Sequence, residues 1–558
     1  MIQSPPMAEK SNVPTSVDVV IVGNGPSAMI LSYILHGHIP FYNPEKPHPD
    51  PLLHAKLKDN PQLLHLDIGH LTTHFGASRF PYSTQALPVN VLLDALIRPN
   101  GDDDEGTETS VQWRYMPERA ASHIIFGSAV HPGGQWTECP EGTAPNIQTL
   151  SYAGMLSLPG YSFAEHHQRV HACPLPPFTR PSREAVAEYL AAYATFVGIS
   201  ESIRCSQQIS GVVRTENGFY IRSHNITCNK LILASGVFTE RIPPRPLLLP
   251  LLKLPPPTTA MQPRRAPLLI IGSGFSAADV IISSHPDQTI IHVFKWKPET
   301  NPSPLKSCHQ QEYPEYASIY RLMKRAFAQS KQSNGTSRPK RPRGHSIPFL
   351  ESRNWTDNYE GIPNTVVTDI VLDNETALVT FRREDGTTLS REVSGLAHMV
   401  GRRSSLNYLS KPLLAEIFDN ETPADDFRWV SRQTMRARAL EGLEVTKDVF
   451  IIGSLTGDSL IRFAYGGCIY AAGKLMQSDF NERNGHAPGN FYSKTATRKD
   501  RTAESAFING AEEHNNVRRI ELKSERQAEI LREKHIRPHS VANPLKSWWE
   551  HLKLLFTG

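Results

Sequence analysis

The sequence predicts an α/β protein built from two strand–turn–helix units, one nested inside the other. Three observations carry that expectation. Short runs of β-branched and apolar residues alternate with helix-forming stretches. Two of those runs end in a Gly-x-Gly turn that opens a helix. The two turns stand far apart, beginning at Gly23 and Gly272, as the nearest thing to an internal repeat.

The first unit begins with Val17 to Val22 (VDVVIV), whose composition suits a strand buried on both faces of a parallel sheet. A helix is expected from Ser27 to Leu35. The next strand is expected to end at Phe41–Tyr42, with Glu45 the nearest acid behind it. The second unit begins at Pro267 to Ile271 and continues through GSGFSAAD. Further buried strands are expected at Lys230–Ala234, Thr289–Phe294, Ala377–Phe381 and Asp448–Ile452. Arg241 to Pro267 is so rich in proline that neither helix nor central strand is expected, only an extended connection.

Two segments stand apart by composition. Ser330 to Ser346 is basic and reads as a solvated loop, with an anion-binding or nuclear-localising segment as the alternative. Beyond Gln477 the chain becomes a polar tail with helix-forming stretches, and its last residues, SWWEHLKLLF, carry an apolar helical stripe. That stripe suits packing on the body of the protein or, over Trp548–Phe556, peripheral contact with a membrane. The domain limits expected are 17–240, 262–394 as the inserted domain, 395–480 returning to the first, and 481–558 as the tail.

With 558 residues, 39% of them hydrophobic and 20% charged, the chain has the make-up of a globular protein of two or more domains. A net charge of +4 is too small at this length to argue for nucleic acid as a partner. No two of the six cysteines form a CxxC, which disfavours dithiol exchange. They are read as reduced thiols, so a cytoplasmic location is expected. The first sixteen residues lack an apolar signal core, and no apolar run reaches about eighteen residues, the length that spans a bilayer.

The glycine turns carry the chemistry. Gly23 allows a tight turn, Gly25 lets a pyrophosphate approach the backbone, and Pro26 and Ser27 open the helix. Ala28 is small enough for helix and strand to pack closely. Gly272, Gly274, Phe275, Ser276 and Ala277 repeat the pattern. Lys295 and Lys297 follow the next strand, where an acid would favour NAD and two cations suit the 2′-phosphate of NADPH; they could instead merely solvate a strand end. Two such units suggest one site for FAD and one for the nicotinamide cofactor. Leu233–Gly236 (LASG) resembles the strand end that returns from one such domain to the other, and Gly453 to Asp458 resembles a G-x-x-x-G-D element whose acid contacts the FAD chain. An aspartate capping a helix is the other reading of Asp458. Gly133, Gly134, Gln135 and Trp136 form a GGxW element of the kind found in flavin-containing and N-hydroxylating monooxygenases; a buried turn with a core tryptophan is the alternative.

Taken in order, GNGPSAMILSYILHG, HPDPLLHAKL, PVNVLLDAL, PGGQW, TLSYAGMLSLPGY, ASG, GSGFSAAD, HVFKW, YPEY, VGRRSSLNYL and GDSLIRFAYGGC resemble the oxidative-stress-induced growth inhibitor family, which is related to flavin-containing and lysine/ornithine N-hydroxylating monooxygenases. The resemblance covers about Val17 to Gln477. It implies FAD and NADPH as cofactors, with oxygen and a small organic molecule as substrates. NADPH would reduce FAD, oxygen would add to form a flavin C4a-(hydro)peroxide, and one oxygen atom would pass to the substrate, as in a tailoring step of secondary metabolism. Amine N-hydroxylation and a slowly turning-over regulatory flavoprotein are the alternatives. No metal cluster and no catalytic side chain is assigned.

Overall fold

A computed structural model describes residues 16–483 apart from 81, 85, 102–108, 139–143, 255–265, 332–347, 352, 419–429 and 431. The polar tail from residue 484, its final apolar stripe and nearly all of the basic segment lie outside the described residues.

The chain opens with β1 (Ser16–Val22), which passes through the Gly23–Gly25 turn into α1 (Pro26–Leu35). An insertion follows, carrying β2 (His38–Tyr42), α2 (Pro88–Ile97) and β3 (Val111–Tyr115). Next come β4 (His123–Phe126), α3 (Arg183–Phe196) and β5 (Ile203–Arg204). A hairpin of β6 (Val212–Thr215) and β7 (Gly218–Ile221) leads into β8 (Ile226–Leu233). The second unit holds β9 (Leu268–Ile271), α4 (Phe275–Ser283), β10 (Ile290–Phe294), α5 (Pro314–Lys331) and β11 (Tyr359–Pro363). Three antiparallel strands, β12 (Val366–Asp373), β13 (Thr376–Arg382) and β14 (Thr388–Val393), precede β15 (Gly395–His398). The chain then returns through α6 (Arg432–Glu441), β16 (Glu444–Thr446), β17 (Val449–Ile451) and α7 (Ala464–Arg483).

The first sheet runs β16-β17-β8-β1-β4-β5, and β1 lies parallel to both β4 and β8. The second runs β11-β10-β9-β15 and is parallel throughout. In each, the strand that ends in a Gly-x-Gly turn is flanked by its next strand on one side and a later strand on the other. Strand order therefore reverses at that turn, which is where open α/β sheets leave a crevice for a ligand. The fold is thus α/β with two Rossmann-type units, the second inserted in the first.

β1 is buried along most of its length, and α1 buries every residue from Ala28 to Leu35 against the first core. That continuous burial follows from helices covering both faces of a parallel sheet.

Several expectations are corrected. β2 is not the second strand of the first sheet: it forms a separate sheet with β3, antiparallel, from His38–Tyr115 to Tyr42–Val111. β4 takes the place beside β1, with Val22 opposite Phe126. Glu45 is exposed in the turn after β2, away from the sheet edge. The proline-rich stretch is not wholly extended, because Pro246–Lys253 forms a 3-10 helix with Pro250 inside it. The period of three puts Leu248, Leu251 and Leu254 on one face, between the second sheet and β13. β13 is a strand, but it alternates: Ala377, Val379 and Phe381 are buried while Leu378 is exposed. β15 completes the second sheet, and the 3-10 helix packs into the core beside it. The two crossings between units, Glu240–Arg241 and Arg402–Arg403, pair antiparallel.

Candidate functional site: a cleft between two glycine turns

The two turns repeat each other bond for bond. Gly23 donates its N–H to Phe126 O at 2.6 Å, and Gly272 donates to Val293 O at 3.0 Å. Ala234 N–H reaches Val22 O at 2.9 Å, and Met399 N–H reaches Ile271 O at 2.7 Å. A Cβ on Gly23 would lie 2.4 Å from Ala234 O, and one on Gly272 would lie 2.3 Å from Met399 O. Both first glycines are thus fixed by the neighbouring backbone, and both adopt positive φ, +112° and +159°.

The third position of each turn differs. Gly25 and Gly274 have ordinary φ values of −83° and −113°. A Cβ on Gly25 would meet nothing within 4 Å, and one on Gly274 would meet only Pro304 Cγ at 3.6 Å. Neither glycine is demanded by the protein's own packing; each leaves open space on the cleft wall. That is the vacancy a pyrophosphate needs to approach the backbone.

The helix starts supply donors to those vacancies. The first intrahelical bonds are Met29 N–H to Gly25 O and Ala278 N–H to Gly274 O, each 3.2 Å. The preceding N–H groups, of Ser27 and Ala28 and of Ser276 and Ala277, are left for an anion at the positive helix end. Ala28 and Ala277 turn their side chains into the cores, so only their backbone serves the site. Both turns open onto one cleft of about 1630 Å³. A pocket for one drug-sized ligand holds about 300–1,000 Å³, so this cleft is larger than one such ligand needs.

The GGQW element sits on the first turn. Gly133 donates its N–H to Asn24 O at 2.8 Å, and a Cβ on Gly134 would lie 3.0 Å from Gly25 Cα. Gln135 bonds Phe238 O through its amide, and its own carbonyl accepts from Arg183 at the start of α3, at 2.9 Å. Trp136 is half-buried against the first core and also lines the cleft. Ser27 faces Gly453, where a Cβ would lie 2.2 Å from Ser27 Oγ.

Asp458 lines the cleft, yet its carboxylate is already engaged. Oδ2 accepts from Leu87 N–H at 2.8 Å and Asn90 Nδ2 at 2.7 Å, at the start of α2, and Oδ1 accepts from Arg436 at 2.5 Å. It ties three segments together beside the first turn and caps no helix of its own.

In the second unit Phe275 and Ser276 line the cleft, and Phe275 meets Tyr316 edge-on with ring centroids 5.2 Å apart. Lys295 follows β10, exposed on the cleft wall, its N–H bonded to Ser273 Oγ at 2.9 Å. Lys297 does not join it. The chain turns there, with Asn301 N–H bonded to Lys297 O at 2.9 Å, and Lys297 stands outside the cleft. A second lysine that sequence reasoning missed does stand on the wall: Lys306, exposed in the 3-10 turn Pro304–Ser307. Ser303 Oγ anchors that turn by donating to Ser273 O at 2.6 Å.

Two further groups escaped sequence reasoning. His292, buried in β10, bonds Gly272 O through Nε2 at 2.7 Å and Tyr359 OH through Nδ1 at 2.8 Å. A carbonyl only accepts, so Nε2 carries the hydrogen. Burial holds the ring's pKa down to about 4, so a neutral imidazole fastens the second turn. Asp279, on α4 and facing the cleft, accepts from Tyr316 OH at 2.8 Å. Burial pushes its pKa up to about 6, against the pull of that hydrogen bond and of Arg183.

No described cysteine lines the cleft. Five are free thiols, and Cys139 lies outside the described residues. Burial pushes the thiols of Cys228 and Cys308 up to about 12 and that of Cys468 still higher, so all three stay protonated. No described helix is long and apolar enough to cross a membrane.

No family model matches the sequence. Oxidative stress-induced growth inhibitor 1 of Mus musculus is 26% identical over 500 residues, covering 83% of this chain and 95% of that protein. The chain's homologues are oxidative stress-induced growth inhibitors. Among solved structures, a flavin-containing monooxygenase from Stenotrophomonas maltophilia aligns with a TM-score of 0.45 at 14% identity, over 84% of this chain and 100% of that one. A bacillithiol disulfide reductase from Staphylococcus aureus aligns at 0.43 and 11% identity, over 84% and 99%.

Proposed function

We propose that this chain is an FAD-dependent, NADPH-using monooxygenase acting on a small organic substrate. The observation that carries the reading is the docking of the GGQW turn onto the first glycine turn, in a cleft that also holds the second glycine turn and no described cysteine. The residues fit both cofactors. The open faces of Gly25 and Gly274 leave room for two pyrophosphates, and the free N–H groups after them offer donors. Lys295 and Lys306 supply cations where a 2′-phosphate would lie.

Bound there, FAD would take a hydride from NADPH and supply the electrons that activate oxygen. The chain's own work is to hold the two dinucleotides against each other and limit water. Arg183 links α3 to the GGQW turn, and its charge also acts on Asp279 in the second unit. A dithiol reductase would instead need an ionisable thiol pair beside the flavin. The protonated thiols outside the cleft argue against one.

The test is the fate of oxygen. Purified enzyme with NADPH and isotopically labelled oxygen would be offered panels of amines, sulfides and ketones. A product carrying one labelled atom supports the reading. Complete conversion of labelled oxygen to peroxide, with every panel unmodified, would replace it with an oxidase.

A further inference from the structure

The bond-for-bond repeat between the turns aligns their neighbouring strands. Phe126 in β4 corresponds to Val293 in β10, because each accepts the N–H of the first glycine. Gly127 therefore corresponds to Phe294, and Ser128 to Lys295. Ser128 and Lys295 both line the cleft. In dinucleotide folds the end of this strand commonly carries the acid that binds the ribose hydroxyls. The first unit has none.

An acid cannot stand at Gly127. A Cβ there would lie 2.1 Å from Asn24 Cγ. Asn24 cannot swing aside freely, since its amide donates to Ala129 O at 3.1 Å and His131 O at 3.2 Å. The space that an acid would use is filled by the group that ties the loop after β4 to the first turn.

Other polar groups flank the same corner. The loop after β5 runs beside the loop after β4, with Gln207 N–H bonded to Gly127 O at 2.9 Å and Ser206 N–H to Ala129 O at 3.0 Å. Gln207 and Gln208 both line the cleft there, Gln207 half-buried and Gln208 exposed. Neither side-chain amide is used for a hydrogen bond among the described residues. The cleft's acids belong elsewhere: Glu138 faces Arg402, Asp279 holds Tyr316, Asp458 is engaged by α2 and α6, Glu240 lies in the crossing and Glu299 beyond β10.

We infer that the adenosine ribose of the dinucleotide at the first turn is read by neutral side chains, Gln207 and Gln208 with Ser128, in place of a carboxylate. An ionised carboxylate can only accept from the ribose hydroxyls, whereas an amide both accepts and donates. The inference rests on FAD being the dinucleotide bound there.

The test is flavin binding rather than turnover. The full-length protein, stripped of flavin, is titrated with FAD and separately with FMN, which lacks the adenosine, following flavin fluorescence. Gln207→Ala/Gln208→Ala should weaken FAD about tenfold, the loss expected for two neutral hydrogen bonds, and leave FMN affinity and the melting temperature unchanged. Gln208→Ala alone, at an exposed position, should show a smaller loss of the same kind. Unchanged FAD affinity in both variants would overturn the inference and leave the flavoprotein reading standing. An equal fall for FAD and FMN would also overturn it, by assigning the glutamines to loop packing. A wild-type protein that binds neither flavin would overturn both.

Discussion

Gly133 donates its backbone N–H to the carbonyl of Asn24 across 2.8 Å, joining a turn far along the chain to the middle residue of the first glycine turn. The contact is close because Gly134 has no Cβ to strike Gly25, while a Cβ on Gly25 would point into the open cleft instead. On the proposed reading the GGQW turn belongs to the first dinucleotide cradle, and changes in either segment should be felt at the same ligand.

The two glycines of the first turn should fail differently. Gly23→Ala places a Cβ against Ala234 O at a φ of +112°, and should cost roughly 2–4 kcal/mol of stability. Gly25→Val meets no protein atom at its Cβ and should lose FAD while melting near the temperature of the flavin-free wild type. Thermal melts and flavin absorbance of the purified variants check both. A Gly25→Val protein that keeps its full flavin would remove the pyrophosphate from that turn.

Nicotinamide choice should follow position on the cleft wall. Lys295→Ala and Lys306→Ala should each raise KM for NADPH about tenfold, with little effect on NADH, as befits an exposed charge-assisted contact. Lys297→Ala, outside the cleft, should change neither. Steady-state kinetics with both cofactors decide it, and equal effects of the Lys295 change on NADPH and NADH would mean that it does not read the phosphate.

The strand ends and glycine turns were legible in the sequence because their determinants are local: a β-branched run, then Gly-x-Gly, then a helix. The partner of β1 was not. HIPFY at His38 and HIIF at His123 are similar short apolar segments, and only the long-range register with Val19–Val22 selects the second. The missing ribose acid was hidden by the same mistake, since Gly127 gains meaning only once β4 is beside β1. Lys306 arrives from a 3-10 turn anchored on Ser273, a contact that no spacing reveals. The buried leucines Leu248, Leu251 and Leu254 recur every third residue, but the density of prolines masked a 3-10 period that tolerates them.

Asp279 gives a pH dependence with a definite sign. Its folded-state pKa of about 6 lies above the ordinary carboxylate value of 3.8, so the folded state holds this proton more tightly than the unfolded state does. The resulting stability is complete below the ordinary value and is lost as pH rises through about 6. Asp279→Asn escapes that loss. Its stability relative to the wild type should improve between about pH 4 and 6 and then level off, about 1–3 kcal/mol ahead. Urea melts across this range check it; a difference that shrinks with rising pH would contradict the raised pKa.

Asp458 should prove structural as well as ligand-facing. Asp458→Ala strands Leu87 N–H and the Asn90 amide and removes one partner of the Arg436 guanidinium, and should cost about 2–4 kcal/mol. Asp458→Asn keeps the shape and one acceptor and should cost less. Melts of the two variants, with and without added FAD, separate these effects. A wild-type melting temperature for the alanine variant would contradict the tie.

The most direct measurement of monooxygenation is the timing of oxygen against peroxide. Enzyme reduced with one equivalent of NADPH is mixed rapidly with oxygen, and oxygen uptake and peroxide release are followed together, with and without NADP retained. We expect oxygen to be consumed first and peroxide to appear only after a delay that NADP lengthens, as a site from which bound NADP keeps water requires. Peroxide equal to oxygen consumed from the earliest time point, under both conditions, would contradict it.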